Sequence, residues 1–297
     1  MIFPEATRAP NLMEGEFFSI RKVKTMEEVR SITEVIRKAW DLTDLENIAT
    51  FEMKAVSDFG TVLMAAPNDD PGHAIGFIYA FPMFPDRNYS HMMGIDPAWQ
   101  GKNVGFELKM VHRQLALEHE NPQINEILWT VDPLLPNNAW LNFGKLGVIC
   151  DTYKINYYGM PEGVGIYEGI PTDRFLVKWQ IRTEKVEKAI QRVRSGEHRK
   201  YPSFEEFVAE RSIMNSIENR KFVANQQFTL KETFYVEMPT DYQWLRENQV
   251  DVAADWRQKF RETCVRYFKK GWIVSDYVRT IDGDGSFHNF YEFSKSS

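Results

Sequence analysis

The sequence predicts an α/β protein: a mixed, strongly twisted central sheet flanked by helices, with a second, smaller α/β region at the C-terminal end. Three observations predict it. Apolar runs of strand length alternate with helix-period stretches from residue 17 to 181. Three of those runs are consecutive, which brings antiparallel neighbours into a sheet that also needs crossover connections. Beyond residue 181 the composition turns charged over residues 182–203, and a strand, a long helix and two strands follow.

Residues 1–15 read as an irregular arm, and "FFSIRKV" (17–23) as the first strand, with Phe18, Ile20 and Val23 available to a core. Thr25 and Glu28 form a capping box, and Val29, Ile32, Ile36 and Ala39 share one helical face. A second helix is expected across "TDLENIATFEMKAVSD", opened by a Thr or Asp cap. "TVLMAA" and "HAIGFIYAFP" are strands joined by the turn residues "PNDDPG", and "YSHMMGID" is a further strand ended by Asp96-Pro97. Val104, Leu108, Val111 and Leu115 step by four, three and four along a helix that Asn121-Pro122 closes. "INEILWTVDP" returns as a strand, and "PNNAWLNFGKLG" makes a helix with Gly147 as its stop. "VICDTYKINYYG" and "DRFLVKWQI" complete the first domain, placed at 1–181. Residues 182–203 read as a solvated helix and linker, and 204–297 as a C-terminal α/β domain, possibly a partial repeat of the first. In it "ETFYVEMP" is a strand and 241–270 a long helix lined by Val252, Trp256, Phe260, Cys264 and Phe268. "GWIVSDYVRT" and "SFHNFYEF" are strands joined by "DGDG".

Composition narrows the function classes. The chain has 297 residues, 43% of them hydrophobic, and a net charge of −6 with a pI near 5.6. That balance offers no basic field for nucleic acid or anionic lipid. Two cysteines, Cys150 and Cys264, are too few for a disulfide framework. No apolar run approaches the ~20 residues that span a bilayer. The expectation is a soluble cytoplasmic protein with no nucleic-acid or membrane partner. No His, Cys, Asp and Glu spacing matches a metal site.

The informative stretch is "HMMGIDPAWQGKNVGFELK" (91–109), where a strand hands over to a helix through a loop bearing Gly101, Asn103 and Gly105. A helix's first N–H groups lack intrahelical partners, and its dipole places partial positive charge there, so such a turn suits phosphate oxygens. Glycines allow close backbone approach, and Asn103 tolerates left-handed backbone. Lys102, and Lys109 with it, would add local charge. The plainer alternative is a turn in which Asn103 is an ordinary N-cap.

With these residues the sequence resembles the GNAT superfamily of acyl-CoA-dependent N-acyltransferases. The family's loop reads Gln/Arg-x-x-Gly-x-Gly/Ala; Gln100 and Gly105 match, and Asn103 departs at the first glycine. Its later motif, an Asn-Ala helix closing on Tyr-x-Lys-x-Gly-Phe, is echoed in "NNAWLNFGKLGV". Lys145 and Gly147 match, and Phe143 stands where tyrosine is frequent. "DPLLPNNAWLNFGKLG" and "PTDRFLVKW" are similar to a larger subgroup with a C-terminal extension.

The resemblance implies acyl-CoA as co-substrate, most simply acetyl-CoA, with a small-molecule amine as acceptor and no metal; a homodimer is left open. It implies that Gln100, Gly101, Lys102, Asn103, Val104 and Gly105 cradle the pyrophosphate. Met93, Gly94 and Ile95 would offer backbone to the pantetheine arm, a backbone N–H of Gly94 or Ile95 serving the thioester oxygen. Asn142 and Lys145 would contribute to the cofactor site. Acyl transfer needs a base for the amine, a donor for the oxyanion and an acid for the thiolate.

Each candidate has a structural alternative. His91 is a base or a structural histidine. Asp132 orients the amine or initiates the Asp-Pro turn. Tyr158, with Tyr153 and Tyr157, replaces the missing acid or packs in a sheet. Asn142 bonds the cofactor or caps a neighbouring strand. Arg257 and Arg261, four apart on one helical face, bind a carboxylated substrate or form ion pairs. The rival from another class is a non-catalytic acyl-CoA-binding or interaction protein, favoured by Phe143 and Asn103. A dinucleotide-binding reading is poorer, because Gly-x-Gly-x-x-Gly is absent after the first strand.

Overall fold

The structure, a computed structural model, describes residues 11–40, 47–119, 123–159 and 170–296. The fold is α/β, and it divides into two compact units, Met1–Trp129 with Gly163–Ile166, and Thr130–Glu162 with Tyr167–Ser297.

The first unit holds β1 (Asn11–Glu14), β2 (Phe18–Lys22), α1 (Met26–Trp40), α2 (Thr50–Phe59), β3 (Thr61–Pro67), β4 (Gly76–Met83), β5 (Arg87–Ile95), α3 (Val104–Glu118) and most of β6 (Glu126–Val131). Its sheet runs β1-β2-β3-β4-β5-β6, antiparallel up to β5 and parallel between β5 and β6. Strand alternation sorts the core into two faces. Val62, Met64 and Ala66 of β3 pack with Val29, Ile32, Ile36 and Met53 from α1 and α2. Leu63 and Ala65 pack with Val104, Leu108 and Val111 of α3. Both faces are therefore covered by helices, as a sheet with a parallel crossover requires.

The capping box at α1 is present: the Glu28 N–H donates to Thr25 Oγ1 at 3.2 Å, and the Thr25 N–H donates to Glu28 Oε2 at 3.2 Å. Arg21, buried in β2, also donates to Glu28. α2 differs from expectation. It starts at Thr50 with Ala49 in the capping position and no side-chain cap, while Thr43 and Asp44 lie outside the described residues. Within the arm expected to be irregular, Asn11–Glu14 forms a strand that pairs with β2, and residues 1–10 lie outside the described residues. Asn121-Pro122 lies outside the described residues.

The second unit contains α4 (Pro136–Ala139), β7 (Ile149–Lys154), β8 (Arg174–Gln180), α5 (Glu184–Arg194), α6 (Phe204–Glu210), β9 (Asn215–Glu218), β10 (Lys221–Ala224), β11 (Thr233–Met238), α7 (Tyr242–Asn248), α8 (Val250–Phe268), β12 (Trp272–Ile281) and β13 (Phe287–Lys295). Its main sheet runs β8-β7-β12-β13-β11. The helix expected over 136–147 is α4 followed by a wide π turn over Trp140–Lys145, in which the Leu146 N–H reaches back to Leu141 O. A Cβ on Gly144 would lie 2.3 Å from the Trp140 ring, so glycine there lets the indole fold back over the turn. Gly147, at φ +70°, ends it.

Residues 182–203 are not a bare solvated segment: Val186, Ala189, Ile190 and Val193 of α5 are buried. The long helix expected over 241–270 breaks at Gln249 into α7 and α8, and Gly271 (φ +74°) terminates it. Trp256, Phe260 and Cys264 of α8 are buried, and Phe175 lies within 6.1 Å, ring centroid to centroid, of Phe143, Tyr153, Phe260, Phe268 and Tyr291. Two arginines of α8 are directed to this core. Arg257 donates to both oxygens of buried Asp132 at 2.8 and 2.7 Å, and Arg261 to both oxygens of Asp173 at 2.7 and 2.9 Å.

Two buried charges in a bidentate pair depend on each other, since a lone buried carboxylate is far costlier than the pair. Arg257→Ala is expected to lower unfolding stability by about 3 kcal/mol or more. Asp132→Leu combined with Arg257→Met should recover most of the loss. Urea unfolding midpoints of the three chains check this, and an unchanged midpoint for Arg257→Ala would refute the dependence.

Candidate active site

In the sheet of the first unit the pairing of β5 with β6 stops short of the end of β5. β5 and β6 pair in register at Arg87↔Glu126, Asn88↔Ile127 and Tyr89↔Leu128, and the register ends there although β5 continues to Ile95. On its other side β5 remains paired to β4, Met93 against Ile78, Gly94 against Phe77 and Ile95 against Gly76. The two parallel strands thus fork beyond Tyr89, leaving the Met93–Ile95 backbone on the fork side of β5.

At the same level the β4–β5 ladder slips. Tyr79 pairs with Met92 and Ala80 with Ser90, so His91 is the extra residue of a β-bulge. A bulge re-aims the side chain it carries. The His91 ring keeps an exposed face and packs its remainder against Tyr79, Phe81 and Tyr89, with centroids 5.9, 6.0 and 6.1 Å away. Desolvation by these rings lowers the imidazole pKa below 6.5, with the Glu52 carboxylate opposing. Glu52, on α2, accepts the Tyr79 hydroxyl at 3.0 Å. Burial, with that bond and charge adding to it, pushes the Tyr79 phenol up to about 12. His91 is therefore neutral at pH 7 and beside a carboxylate, a suitable state for accepting a proton.

Past Ile95 the chain turns on Asp96, whose carboxylate accepts the Ala98 N–H at 3.0 Å and pairs with Lys38 at 2.7 Å. Gln100, Gly101, Lys102 and Asn103 are exposed; Val104 is buried and Gly105 half-buried at the start of α3. Gly101 (φ +78°) and Asn103 (φ +66°) are both left-handed. Asn103 is not an ordinary N-cap. Its side chain accepts no helix N–H, and its amide donates to Glu107 Oε1 at 3.2 Å. Lys102 lies over the Trp99 ring at 4.5 Å.

Lys109 does not join the loop. Its amine is buried, donates to Ser90 Oγ at 3.1 Å and lies 3.5 Å from the centroid of Trp129, so the expectation that it adds charge at the turn is corrected. Gly94 has a packing duty of its own, since a Cβ there would meet Phe77 at 2.8 Å and Trp40 at 2.9 Å.

The remaining candidates belong to the second unit. Asp132 has both carboxylate oxygens on Arg257, with Arg174 3.8 Å away and one oxygen also accepting the Leu134 N–H. Burial raises its pKa, but Arg257 and Arg174 outweigh burial and the group stays ionised and occupied. It both initiates the Asp-Pro turn and anchors α8, so both oxygens are engaged by Arg257. Arg257 and Arg261 form ion pairs, the second of the two readings raised for them. Asn142 is buried and donates to Asn138 O at 2.7 Å within its own turn. Lys145 is half-buried, its pKa lowered by desolvation and then by Arg279 and Arg199.

Tyr153 is half-buried and donates to Asp173 at 2.8 Å, and desolvation pushes its phenol far up. Tyr158 is exposed, with its hydroxyl 3.2 Å from Thr130 Oγ1, and Tyr157 is exposed beside it. Cys150 and Cys264 are buried with thiol pKa values pushed up by burial, an environment that disfavours the thiolate. Among the described residues no group of three or more His, Cys, Asp and Glu is placed to hold a metal ion, and no helix is long and apolar enough to cross a membrane.

Sequence reasoning missed the Lys109–Ser90–Trp129 contact and the His91 bulge. The signal available for the first was a lysine beside Leu108 on the buried side of an amphipathic helix. The bulge left none.

No family model matches the chain, and no curated protein matches it. Among solved structures it is similar to the ribosomal-protein-S18-alanine N-acetyltransferase from Escherichia coli, at 16% identity over 56% of this chain and 95% of that one, with a TM-score of 0.42. It is likewise similar to Ard1 from Thermoplasma volcanium, at 15% identity over 54% and 95% with TM-score 0.42. Naa50 of Arabidopsis thaliana, in complex with a bisubstrate analogue, aligns at 17% identity over 54% and 97% with TM-score 0.42. These are likenesses of partial extent, and the functional reading rests on the chain's own geometry.

Phe143, at the position where the resembled family often has tyrosine, is 1% exposed and packs 5.3 Å from Tyr291 and 6.1 Å from Phe175. A hydroxyl there would enter an aromatic core, where an unbonded polar group costs about 1–3 kcal/mol. Phe143→Tyr is expected to lower the thermal midpoint without raising any acyl-transfer rate. A raised rate with unchanged stability would show that the position opens to a reaction site.

Proposed function

We propose that the chain is an acyl-CoA-dependent N-acyltransferase of the GNAT kind, moving an acyl group, most simply acetyl, from coenzyme A to a small-molecule amine. The observation that carries this reading is the fork of β5 from β6 beginning at the level of the His91 bulge, with the left-handed Gly101–Asn103 loop and the α3 N-terminus following the same strand. An extended pantetheine arm would use the backbone of Met93, Gly94 and Ile95 as a strand neighbour would. The pyrophosphate would meet the backbone of Gln100, Gly101, Lys102, Asn103, Val104 and Gly105, where the helix dipole favours negative charge. A thioester in the fork would lie near His91, which takes the amine proton as attack proceeds. The N–H of Gly94 or Ile95 is assigned to the developing oxyanion.

The rival, an acyl-CoA-binding protein without turnover, keeps the loop and fork but gives His91 no role. In the domain reading we retain, residues 1–181 form the acyltransferase region and 182–203 a charged connector. Residues 204–297 would form a C-terminal domain that partly repeats it. The support for that repeat is connectivity: β11, then α7 and α8, then the antiparallel hairpin β12–β13, follow the order of β6, the helical segment from Pro136, and the hairpin β7–β8.

Two measurements test the proposal. Gly105→Glu should abolish acetyl-CoA binding by calorimetry while leaving the unfolding midpoint unchanged or raised, because glutamate suits a helix's first turn. Retained affinity would remove the loop from the cofactor site.

His91→Ala should lower free-thiol release with a pool of amines by about 10²–10⁴-fold with acetyl-CoA affinity intact. Because the folded pKa of His91 lies below 6.5, the acid limb of the kcat/KM profile should fall below pH 6.5. Binding without turnover in the unsubstituted chain would favour the rival.

A further inference from the structure

Ser90 and Trp129 are the residues that would pair next after Tyr89↔Leu128 had the β5–β6 register continued. They mark the apex of the fork, and the Lys109 amine reaches both, 3.1 Å from Ser90 Oγ and 3.5 Å from the Trp129 ring centroid. Lys109, Ser90 and Trp129 are 1%, 3% and 5% exposed. The groups facing the amine are these two and, one turn along α3, His112. That imidazole is fully buried with no hydrogen-bond partner for either nitrogen and is pushed down to about 3 by burial and then by Lys109. Among the described residues no carboxylate bonds to Lys109, and burial brings its pKa down to about 7. A buried ammonium without a counter-ion is costly, so near pH 7 a large share of the amine is unprotonated, with its lone pair free.

We propose that Lys109 is a self-acylation site, whose amine takes the acyl group from a thioester lying in the fork. The inference rests on the acyl-CoA reading of the fork and adds an acceptor within the chain itself. The lone pair of Nζ attacks the thioester carbonyl carbon, a C–N bond forms, and the C–S bond breaks with its electron pair going to sulfur. The nitrogen's surplus proton passes, directly or through the Ser90 hydroxyl, to the leaving thiolate. Nε-acyl-lysine and free coenzyme A thiol result, with no other reactant. The product amide cannot ionise, so it removes the charge that burial penalised and fills the fork's apex. An acylated chain is therefore a blocked chain.

The test uses the full chain with acetyl-CoA near pH 7.5, peptide mass mapping over time, and calorimetry on the same preparation. Acetyl-CoA should bind, and Lys109 should gain one acetyl group at least about tenfold faster than exposed lysines such as Lys188. A group with a pKa near 7 is largely deprotonated at that pH, whereas an ordinary lysine, at ~10.4, is almost entirely protonated. The pre-acetylated chain should have lost acetyl-CoA affinity.

Binding with Lys109 unmodified, or modified no faster than exposed lysines, overturns the proposal and leaves the acyl-CoA reading standing. Absence of binding overturns that reading, and the proposal with it. Lys109→Met serves as the control for location: it should bind acetyl-CoA, remain folded by circular dichroism and lose the fast-acylating site. A fast-labelled peptide that persists in Lys109→Met places the reactive amine elsewhere and refutes the assignment.

Discussion

The end of β5–β6 pairing at Tyr89 is the constraint from which the rest of the first unit follows. Every backbone N–H and C=O needs a partner, and a parallel strand that leaves its neighbour opens a row of such groups. β5 nevertheless stays with β4 as far as Ile95, gripped from both faces. The missing Cβ of Gly94 makes room for Trp40 of α1, and that of Gly76 makes room for Ile95 and for Val104 and Leu108 of α3. The bulge at His91 falls at the level where the fork begins, and bulges sharpen local twist. Divergence from β6 and the turning-out of His91 are thus two results of one distortion. The helix that follows is committed to the sheet by Val104, Leu108 and Val111, which fixes where its N-terminus and its Lys109 amine fall.

Buried charge is met in two ways, with an ionic partner and without one, and the first unit shows both, since its Arg21 is paired with Glu28. In the second unit the buried carboxylates already hold cations: Asp132 holds Arg257, and Asp173 holds Arg261 and the Tyr153 hydroxyl. Such pairs stabilise position, with both oxygens of each carboxylate engaged. In the first unit Lys109 has a hydroxyl and an indole face but, among the described residues, no carboxylate, and His112 has no hydrogen-bond partner. The low local dielectric then favours the neutral forms of both. Neutral nitrogen with a free lone pair is what nucleophilic and basic chemistry needs.

Most of the elements were legible because their signals are local. The capping box at Thr25 and Glu28, the continuous apolar run from Val62 to Ala66 and the four-three-four step from Val104 to Leu115 each encode one element within a few residues. Asn103 was legible as a left-handed position, since few other residues adopt that backbone. What failed was non-local or finely balanced. β1, β9 and β10 are four-residue strands whose pairing partners decide them. The π turn at Trp140 depends on an indole folding over Gly144, and the break at Gln249 interrupts an otherwise continuous helical pattern. Of the candidate residues, the loop positions lie together because they are contiguous in sequence. The partner of Asp132 lies on α8, far along the chain, and the pair is invisible until the helix is placed.

Glu107 sets the terms on which the loop can hold an anion. An acidic residue in a first turn favours the helix by complementing its dipole, and it repels a phosphate by the same charge. Lys102 supplies one compensating cation from an exposed position over Trp99, where solvent screens it. Lys102 and Glu107 carry opposite charges, so in the proposed site the backbone N–H groups beside the left-handed residues would be the main donors to an anion. Asn103 contributes to that by declining to cap. With its amide turned to Glu107, it holds the carboxylate back along the helix and offers no oxygen to the helix N–H groups. A glycine at 103 would provide the same backbone without the tether. Asparagine thus supplies left-handed backbone at 103 while its side chain tethers the Glu107 carboxylate.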